Sequence, residues 1–276
     1  MRPLSTLVAG WQVRLGLAIM GGTMDEELQL RIHGEPSQTT LIYLPGLHGD
    51  WTLIGSFRHA LAGRVRFVEI TYPRTLDWSL DEYAEAIERA LATHGITTGW
   101  LLGESFGSQP LWTLTARERF RAQGLILAGG FVKHPLRGAV RLAETLTGRM
   151  SNRLFIRIIF GYAKIARFRY RHSPETLATI DEFVARRTDL DRRAAQHRLH
   201  LIAENDPRPV ACRTKLPVFG VAGVLDPIVP WPLIGRWLGR NCPALREYKI
   251  IMGADHNVLS TAPQKAAGQI LKWIGA

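Results

Sequence analysis

Ser105 lies in Gly103-Glu104-Ser105-Phe106-Gly107, a G-x-S-x-G pattern. The residues before it, Gly99 to Leu102, read as a short buried strand, and the stretch from Ser108 towards Phe120 reads as a helix. A serine on a tight turn from strand to helix presents its hydroxyl, and glycines on either side let the two backbones approach closely. A serine hydroxyl is a weak nucleophile at neutral pH. It needs a base in hydrogen-bond reach, and the base needs an acid to fix its tautomer and stabilise the imidazolium. The pattern fixes only three residue types, so its meaning rests on whether those partners exist elsewhere in the chain.

Two residues have the right placement. The apolar run Pro217 to Gly223 reads as a buried strand and leads into Val224-Leu225-Asp226-Pro227. Asp is common in turns and helix caps, but an Asp at the carboxyl end of a parallel strand also sits on the rim where sites form. The next apolar run, Tyr248 to Met252, ends in Gly253-Ala254-Asp255-His256-Asn257. His256 therefore follows Asp226 by 30 residues, with room for one helix, Trp231 to Leu238, between them. Asp226 and His256 should emerge from neighbouring strand ends. Asp255 is a rival acid, but adjacent side chains diverge. A fourth piece is the apolar run Leu41 to Leu44 entering Pro45-Gly46-Leu47-His48-Gly49-Asp50-Trp51. Attack on an acyl carbon needs donors aimed at the developing oxyanion, each worth roughly 10²–10³-fold in rate. The expected donors are the backbone N–H groups of Phe106 and Leu47, with His48 the alternative in the loop.

In this order, Pro45–Gly49, Gly103–Gly107, Leu225–Pro230 and Asp255-His256 resemble the α/β-hydrolase superfamily, in the branch of small esterases and thioesterases with a helical cap. The resemblance implies an α/β fold with a mainly parallel sheet flanked by helices and a helical cap insertion. It implies a serine hydrolase, a carboxylesterase, that cleaves carboxylic esters through Ser105, His256 and Asp226 by way of an acyl-enzyme. A thioesterase or a lipase or lysophospholipase would use the same triad, and a non-catalytic binding protein of the same fold is a further alternative. No metal or organic cofactor is implied. The loop departs from the family in one respect, because Pro45-Gly46 stands where His-Gly is common. Serine at position 105 also separates the chain from epoxide hydrolases and haloalkane dehalogenases, which carry Asp there.

The elements that must position these residues follow from periodicity. Strand-like stretches fall at 27–32, 40–44, 64–71, 100–103, 124–128, 217–222 and 246–252. Ser79 with Glu82 forms a capping box for a helix from Ser79 to His94, in which Tyr83, Ile87 and Leu91 share a face. Residues 263–274 form a terminal helix. The alternation predicts a parallel sheet covered on both faces. It lapses from Phe131 to Lys215, where helical periodicity prevails. That gives a core of residues 25–130 and 216–276, a cap of residues 131–215, and an N-terminal extension of residues 1–24. His48, Trp51 and Phe131 are expected in the substrate pocket, with aromatic core packing an equal reading for Trp51 and Phe131, and Glu104 is expected to be buried and paired.

The charge is unevenly spread. Residues 131–215 hold 15 Arg and 3 Lys against 8 acids, which accounts for +10 of the chain's net +11. A solvated helical face would suffice. The sharper expectation is that the cap attracts an anionic or acyl small-molecule ester, or makes peripheral contact with a membrane. Nucleic acid is disfavoured, because no recognition motif accompanies the charge. Only Cys212 and Cys242 are present. They form no metal motif, and a reducing compartment, hence a cytoplasmic location, is the simplest reading; secretion to the periplasm or beyond through a signal peptide in residues 1–24 is the alternative.

Overall fold

The computed structural model describes residues 27–169, 177, 180, 181, 183, 184 and 187–276. The N-terminal extension read from the sequence lies outside the described residues. Seven strands form one sheet: β1 (Gln29–His33), β2 (Thr40–Leu44), β3 (Arg66–Thr71), β4 (Thr98–Glu104), β5 (Arg121–Ala128), β6 (Val218–Gly223) and β7 (Leu245–Ile251). Their order is β1-β3-β2-β4-β5-β6-β7. Every pairing is parallel except that of β1 with β3. All seven overlap the strand-like stretches of the sequence; the inner strands are largely buried, as a parallel sheet covered on both faces requires, whereas β1 and β7 at the two edges are mostly half-buried.

Helices cover the two faces. α1 (Gly55–Leu61), α2 (Leu80–Thr93) and α3 (Ser108–Arg117) belong to the first half of the chain. α8 (Trp231–Asn241), α9 (Val258–Thr261) and α10 (Pro263–Ile274) belong to the second. The period of two along β2 divides the core. Ile42 and Leu44 join the layer of Ile87, Trp112 and Leu238. Leu41 and Tyr43 join the layer of Phe57 and Ile270 on the other face. α2 begins at Ser79, whose side chain and that of Glu82 complete the expected capping box.

Between β5 and β6 lie α4 (Arg137–Arg149), α5 (Asn152–Arg169), α6 (Asp189–Glu204) and α7 (Arg208–Arg213). Among the described residues of this insertion there is no strand. Thr188 and Asp191 cap α6 with a second capping box. Both cysteines are free, Cys212 at the surface and Cys242 buried.

The order of the strands fixes where a site can form. After β2 the chain moves outward to β3, then returns to place β4 on the opposite side of β2. The loops leaving β2 and β4 therefore diverge, and a crevice opens at the carboxyl ends of these strands.

Candidate active site

Ser105 occupies that crevice. It follows β4 directly and opens a single 3₁₀ turn, Ser105–Gly107, before α3 starts at Ser108. Its φ is 49°, and among the described non-glycine residues only Glu118 also has a positive φ. A left-handed conformation is costly for a residue with a Cβ, and here it turns the hydroxyl out of the strand. The flanking glycines are a spatial requirement. A Cβ on Gly103 would lie 2.8 Å from the carbonyl oxygen of Gly107, and one on Gly107 would lie 2.0 Å from that of Leu44.

The three side chains singled out in the sequence meet. Ser105 Oγ is 2.9 Å from His256 Nε2, and His256 Nδ1 is 2.8 Å from Asp226 Oδ2. An ionised carboxylate can only accept, so Nδ1 carries the proton of the neutral ring and Nε2 is left to accept from the serine hydroxyl. Asp226 is held in turn: its Oδ1 accepts from the N–H groups of Ile228 at 2.8 Å and Val229 at 2.9 Å. Its side chain is fully buried, and that of His256 is 10% exposed. Asp255, the rival acid, caps its own turn through the N–H of Asn257 at 3.0 Å.

Glu104 ends β4, buried, and accepts a 2.5 Å hydrogen bond from Tyr43 Oη. Burial pushes its pKa up to about 7, and the Tyr43 hydrogen bond and His256 only partly offset this. Tyr43 stands on the adjacent strand, so this pair ties β2 to β4 beneath the serine.

The Pro45–Asp50 loop passes next to Ser105: a Cβ on Gly46 would sit 3.4 Å from that of Ser105. Each carbonyl from Gly46 to Gly49 has a donor. Gly46 O accepts from Gly49 N at 3.0 Å, and Gly49 O accepts from Tyr72 N at 2.8 Å. Leu47 O accepts from Arg198 Nη1 at 3.0 Å, and His48 O from Arg187 Nη1 at 3.4 Å. Because a peptide unit is planar, holding a carbonyl also aims the next residue's N–H in the opposite direction. The directions of the Leu47, His48 and Gly49 amides are thereby set.

The two arginines come from the helical insertion, and sequence reasoning did not find them. Arg198 on α6 is 2% exposed. It also donates to Pro73 O at 3.1 Å and lies over the Tyr72 ring at 5.6 Å. Among the described residues no carboxylate pairs with it, so its charge is met by carbonyl dipoles and the ring. Gly49 has a φ of 82°, which favours glycine, and a Cβ there would also lie 2.3 Å from Arg198 Nη1. Arg187 binds Asp50 Oδ2, lies 3.6 Å from Asp191 Oδ1, and has its guanidinium over the Phe183 ring. Arg74 reaches the same Asp191 oxygen at 2.8 Å. Burial alone would raise the Asp50 pKa, but Arg187, His48 and Thr52 outweigh it and hold it down at about 2. A cavity of about 200 Å³ lies behind the loop, bordered by His48, Asp50, Tyr72, Arg74, Asp191 and Arg198.

Of the expected pocket residues, His48 borders that cavity, and Trp51 and Phe131 are buried. His48 stands edge-on to Phe183, ring centres 5.9 Å apart, and burial lowers its pKa to about 4. Trp51 is 4% exposed, in the core layer of Phe57, with the Arg31 guanidinium 4.0 Å from its ring centre. Phe131 is 1% exposed; its carbonyl accepts from Trp112 Nε1 at 3.1 Å, and its ring meets that of His134 at 5.0 Å. Trp51 and Phe131 are thus core side chains. Phe106 is fully buried, its ring 6.0 Å from that of Tyr72.

This sheet and crevice define the class: the chain has the α/β-hydrolase fold. Among solved structures it is similar to a hydrolase from Pseudomonas aeruginosa, with a TM-score of 0.75, 16% identity, and coverage of 90% of this chain and 94% of that one. It is similar to an esterase from Exiguobacterium antarcticum, with a TM-score of 0.73, 14% identity, and coverage of 90% and 96%. An enol-lactonase from Burkholderia xenovorans gives a TM-score of 0.73 at 17% identity, with the same coverage. No protein-family model matches the sequence, and no curated protein matches it.

Proposed function

We propose that the protein is a serine hydrolase that cleaves carboxylic esters. The observation that carries this reading is the unbroken pair of hydrogen bonds from Ser105 through His256 to Asp226, on a serine held at a φ of 49°. Ser105 Oγ attacks the acyl carbon while His256 Nε2 takes its proton. The tetrahedral oxyanion is stabilised by the N–H groups of Phe106 and Leu47. His256 then protonates the leaving alcohol as the C–O bond breaks. Water attacks the acyl-enzyme with His256 again as base, and the released acid restores Ser105. Asp226 keeps Nδ1 protonated and steadies the imidazolium. Residues 131–215 act as the cap, and Arg187 and Arg198 fit that role because they join this segment to the loop beside Ser105.

The names of the structural neighbours, esterase and lactonase, belong to acyl–oxygen chemistry. A thioesterase or a lipase would use the same geometry and differ in the leaving group and acyl chain. The deciding experiment is labelling with a fluorophosphonate, followed by turnover of p-nitrophenyl esters of increasing chain length against acyl-coenzyme A. Labelling at Ser105 with ester turnover is the expected result. An intact protein that neither labels nor turns over would show a binding protein of the same fold.

A further inference from the structure

Exposed large apolar side chains are not scattered over this molecule. Those among the described residues fall in three places: 136–168, then Leu225, Ile228 and Leu233, then Met252. These segments follow β5, β6 and β7, so they all leave the carboxyl edge of the sheet. Each of these segments thus starts from the edge that carries Ser105 and His256. Single exposed apolar residues need no explanation, but their concentration in segments that leave one edge marks a contact surface.

The same face is cationic. From 137 to 169 the chain has eight arginines and lysines and one acid, Glu144; Arg137 and Arg141 pair with Glu204 and Arg167 with Asp181, so the charge of this face rests on the others. On α5, Phe155, Ile156 and Ile159 are half-buried and Ala163 is buried, which leaves an exposed arc of about 160°. Arg153, Arg157 and Lys164 form a stripe along that arc, between Phe160 on one side and Leu154 and Ile158 on the other. On α4, Leu142 and Leu146 are 59% and 54% exposed. A face meant only for water would not leave these side chains out, and a face meant for nucleic acid or an acidic protein would not need them. Cations interleaved with exposed aliphatic and aromatic groups suit a surface with anionic headgroups above acyl chains, where arginine and lysine stems lie along the apolar layer and keep their charges among the headgroups. Among the described residues no helix is long and apolar enough to cross a membrane, which suits contact in the plane of the interface.

We infer that α4 and α5, with the loops after β6 and β7, dock the protein on an anionic lipid surface, with the Ser105 crevice on the docked side. The inference stands on the surface alone and does not need the catalytic reading.

Vesicle flotation tests it, using the full chain with Ser105→Ala so that lipid turnover plays no part. The protein should float with phosphatidylcholine vesicles containing phosphatidylglycerol and stay down with pure phosphatidylcholine. Rising salt should weaken the binding. The double variant Arg153→Gln/Arg157→Gln should weaken partitioning by roughly 10–30-fold, given about 5-fold per cation near such a surface. Leu146→Ser/Ile158→Ser should weaken it by about 10-fold or more at unchanged net charge. All four side chains are exposed, and unchanged melting curves would show that the fold persists. Failure to float with anionic vesicles would overturn the proposal. So would equal flotation with neutral vesicles, an unaffected Leu146→Ser/Ile158→Ser variant, or a duplex oligonucleotide that binds where vesicles do not. An ester hydrolase that fails to float would lose this inference alone; a protein that floats but whose Ser105 form does not label would lose only the catalytic one.

Discussion

The turn at Ser105 and the loop at Pro45–Asp50 face each other across one crevice, yet they are built in opposite ways. The turn is made largely by its own neighbours. Gly103 leaves room for Gly107, Gly107 leaves room for Leu44 at the end of β2, Ser105 takes the strained φ, and α3 begins at once. The loop closes only one of its carbonyls internally, Gly46 O to Gly49 N. The carbonyls of Leu47 and His48 are held by Arg198 and Arg187, which lie 151 and 139 residues further along the chain. Placing the nucleophile is a local matter. The proposed oxyanion donor, Leu47 N–H, is aimed by the internal bond of Gly46 O to Gly49 N, and the helical insertion supports it at one remove by fixing the two peptide units that follow.

The largest expected effect tests the local half. Ser105→Ala should lower kcat by about 10⁶-fold and abolish fluorophosphonate labelling. Its thermal midpoint should stay that of the wild type, since alanine meets the same steric demands at this φ. Activity retained in Ser105→Ala would break the assignment of the nucleophile.

The distant half predicts a smaller, different loss. Replacing Arg198 with Met frees Leu47 O, so the Leu47–His48 peptide unit can rotate and loosen the Gly49 N bond to Gly46 O that aims the Leu47 amide. We expect kcat to fall by roughly 10²–10³-fold, the value of one oxyanion donor, with KM nearly unchanged. Arg198 acts as a positioning residue, so two further readouts separate it from general damage. A boronic acid that mimics the tetrahedral intermediate should bind more weakly in proportion to kcat/KM, while a ground-state analogue should not. Added methylguanidinium should restore part of the rate to Arg198→Ala. A folded Arg198→Met protein with wild-type kcat would show that the loop holds itself.

A third difference lies in pH. Glu104 belongs to the turn and has its pKa raised from 4.5 to about 7. Between those values the native state binds more protons than the unfolded chain, so this group adds stability as pH falls. His48 belongs to the loop and has its pKa lowered from 6.5 to about 4. Here the unfolded chain binds more protons, and stability is lost as pH falls through the same window. Each displacement is worth about 3 kcal/mol, so the two nearly cancel in the wild type. Glu104→Gln keeps an acceptor for Tyr43 and removes only the first effect. Between pH 7 and pH 4.5 its stability, read from the urea midpoint, should drop by about 3 kcal/mol more than that of the wild type. A wild-type profile in the variant would show that the two groups do not oppose each other.

The same contrast explains what the sequence disclosed. The inner strands were legible because they are apolar runs largely buried in the sheet, and Ser105, Asp226 and His256 because they sit in chain order just past the ends of β4, β6 and β7. The capping box at Ser79 and Glu82 was legible because it is local. Arg187 and Arg198 were not: within a segment of 15 arginines, nothing local marks the two whose guanidinium groups turn inward. The signal lay at the far end, in Gly49 and Asp50, where a missing Cβ and a buried carboxylate leave a space shaped and charged for them. Trp51 stayed open between pocket and core, because a large aromatic ring suits either; the chain turns there into the layer of Ile54 and Phe57.

The smallest effect measures how much strain the turn stores. A residue with a Cβ in the left-handed region costs about 1–2 kcal/mol, whereas glycine accepts that region freely but loses more entropy on folding. Ser105→Gly and Ser105→Ala both remove the hydroxyl, so both should be inactive, and their difference isolates the backbone. Ser105→Gly should be more stable than Ser105→Ala by about 1 kcal/mol in equilibrium urea unfolding. Equal stability would mean that φ at Ser105 relaxes once the hydrogen bond to His256 is gone. In that case the strained conformation would be imposed by the triad and not by Gly103, Gly107 and the start of α3, and the turn would be less self-sufficient than its glycines suggest.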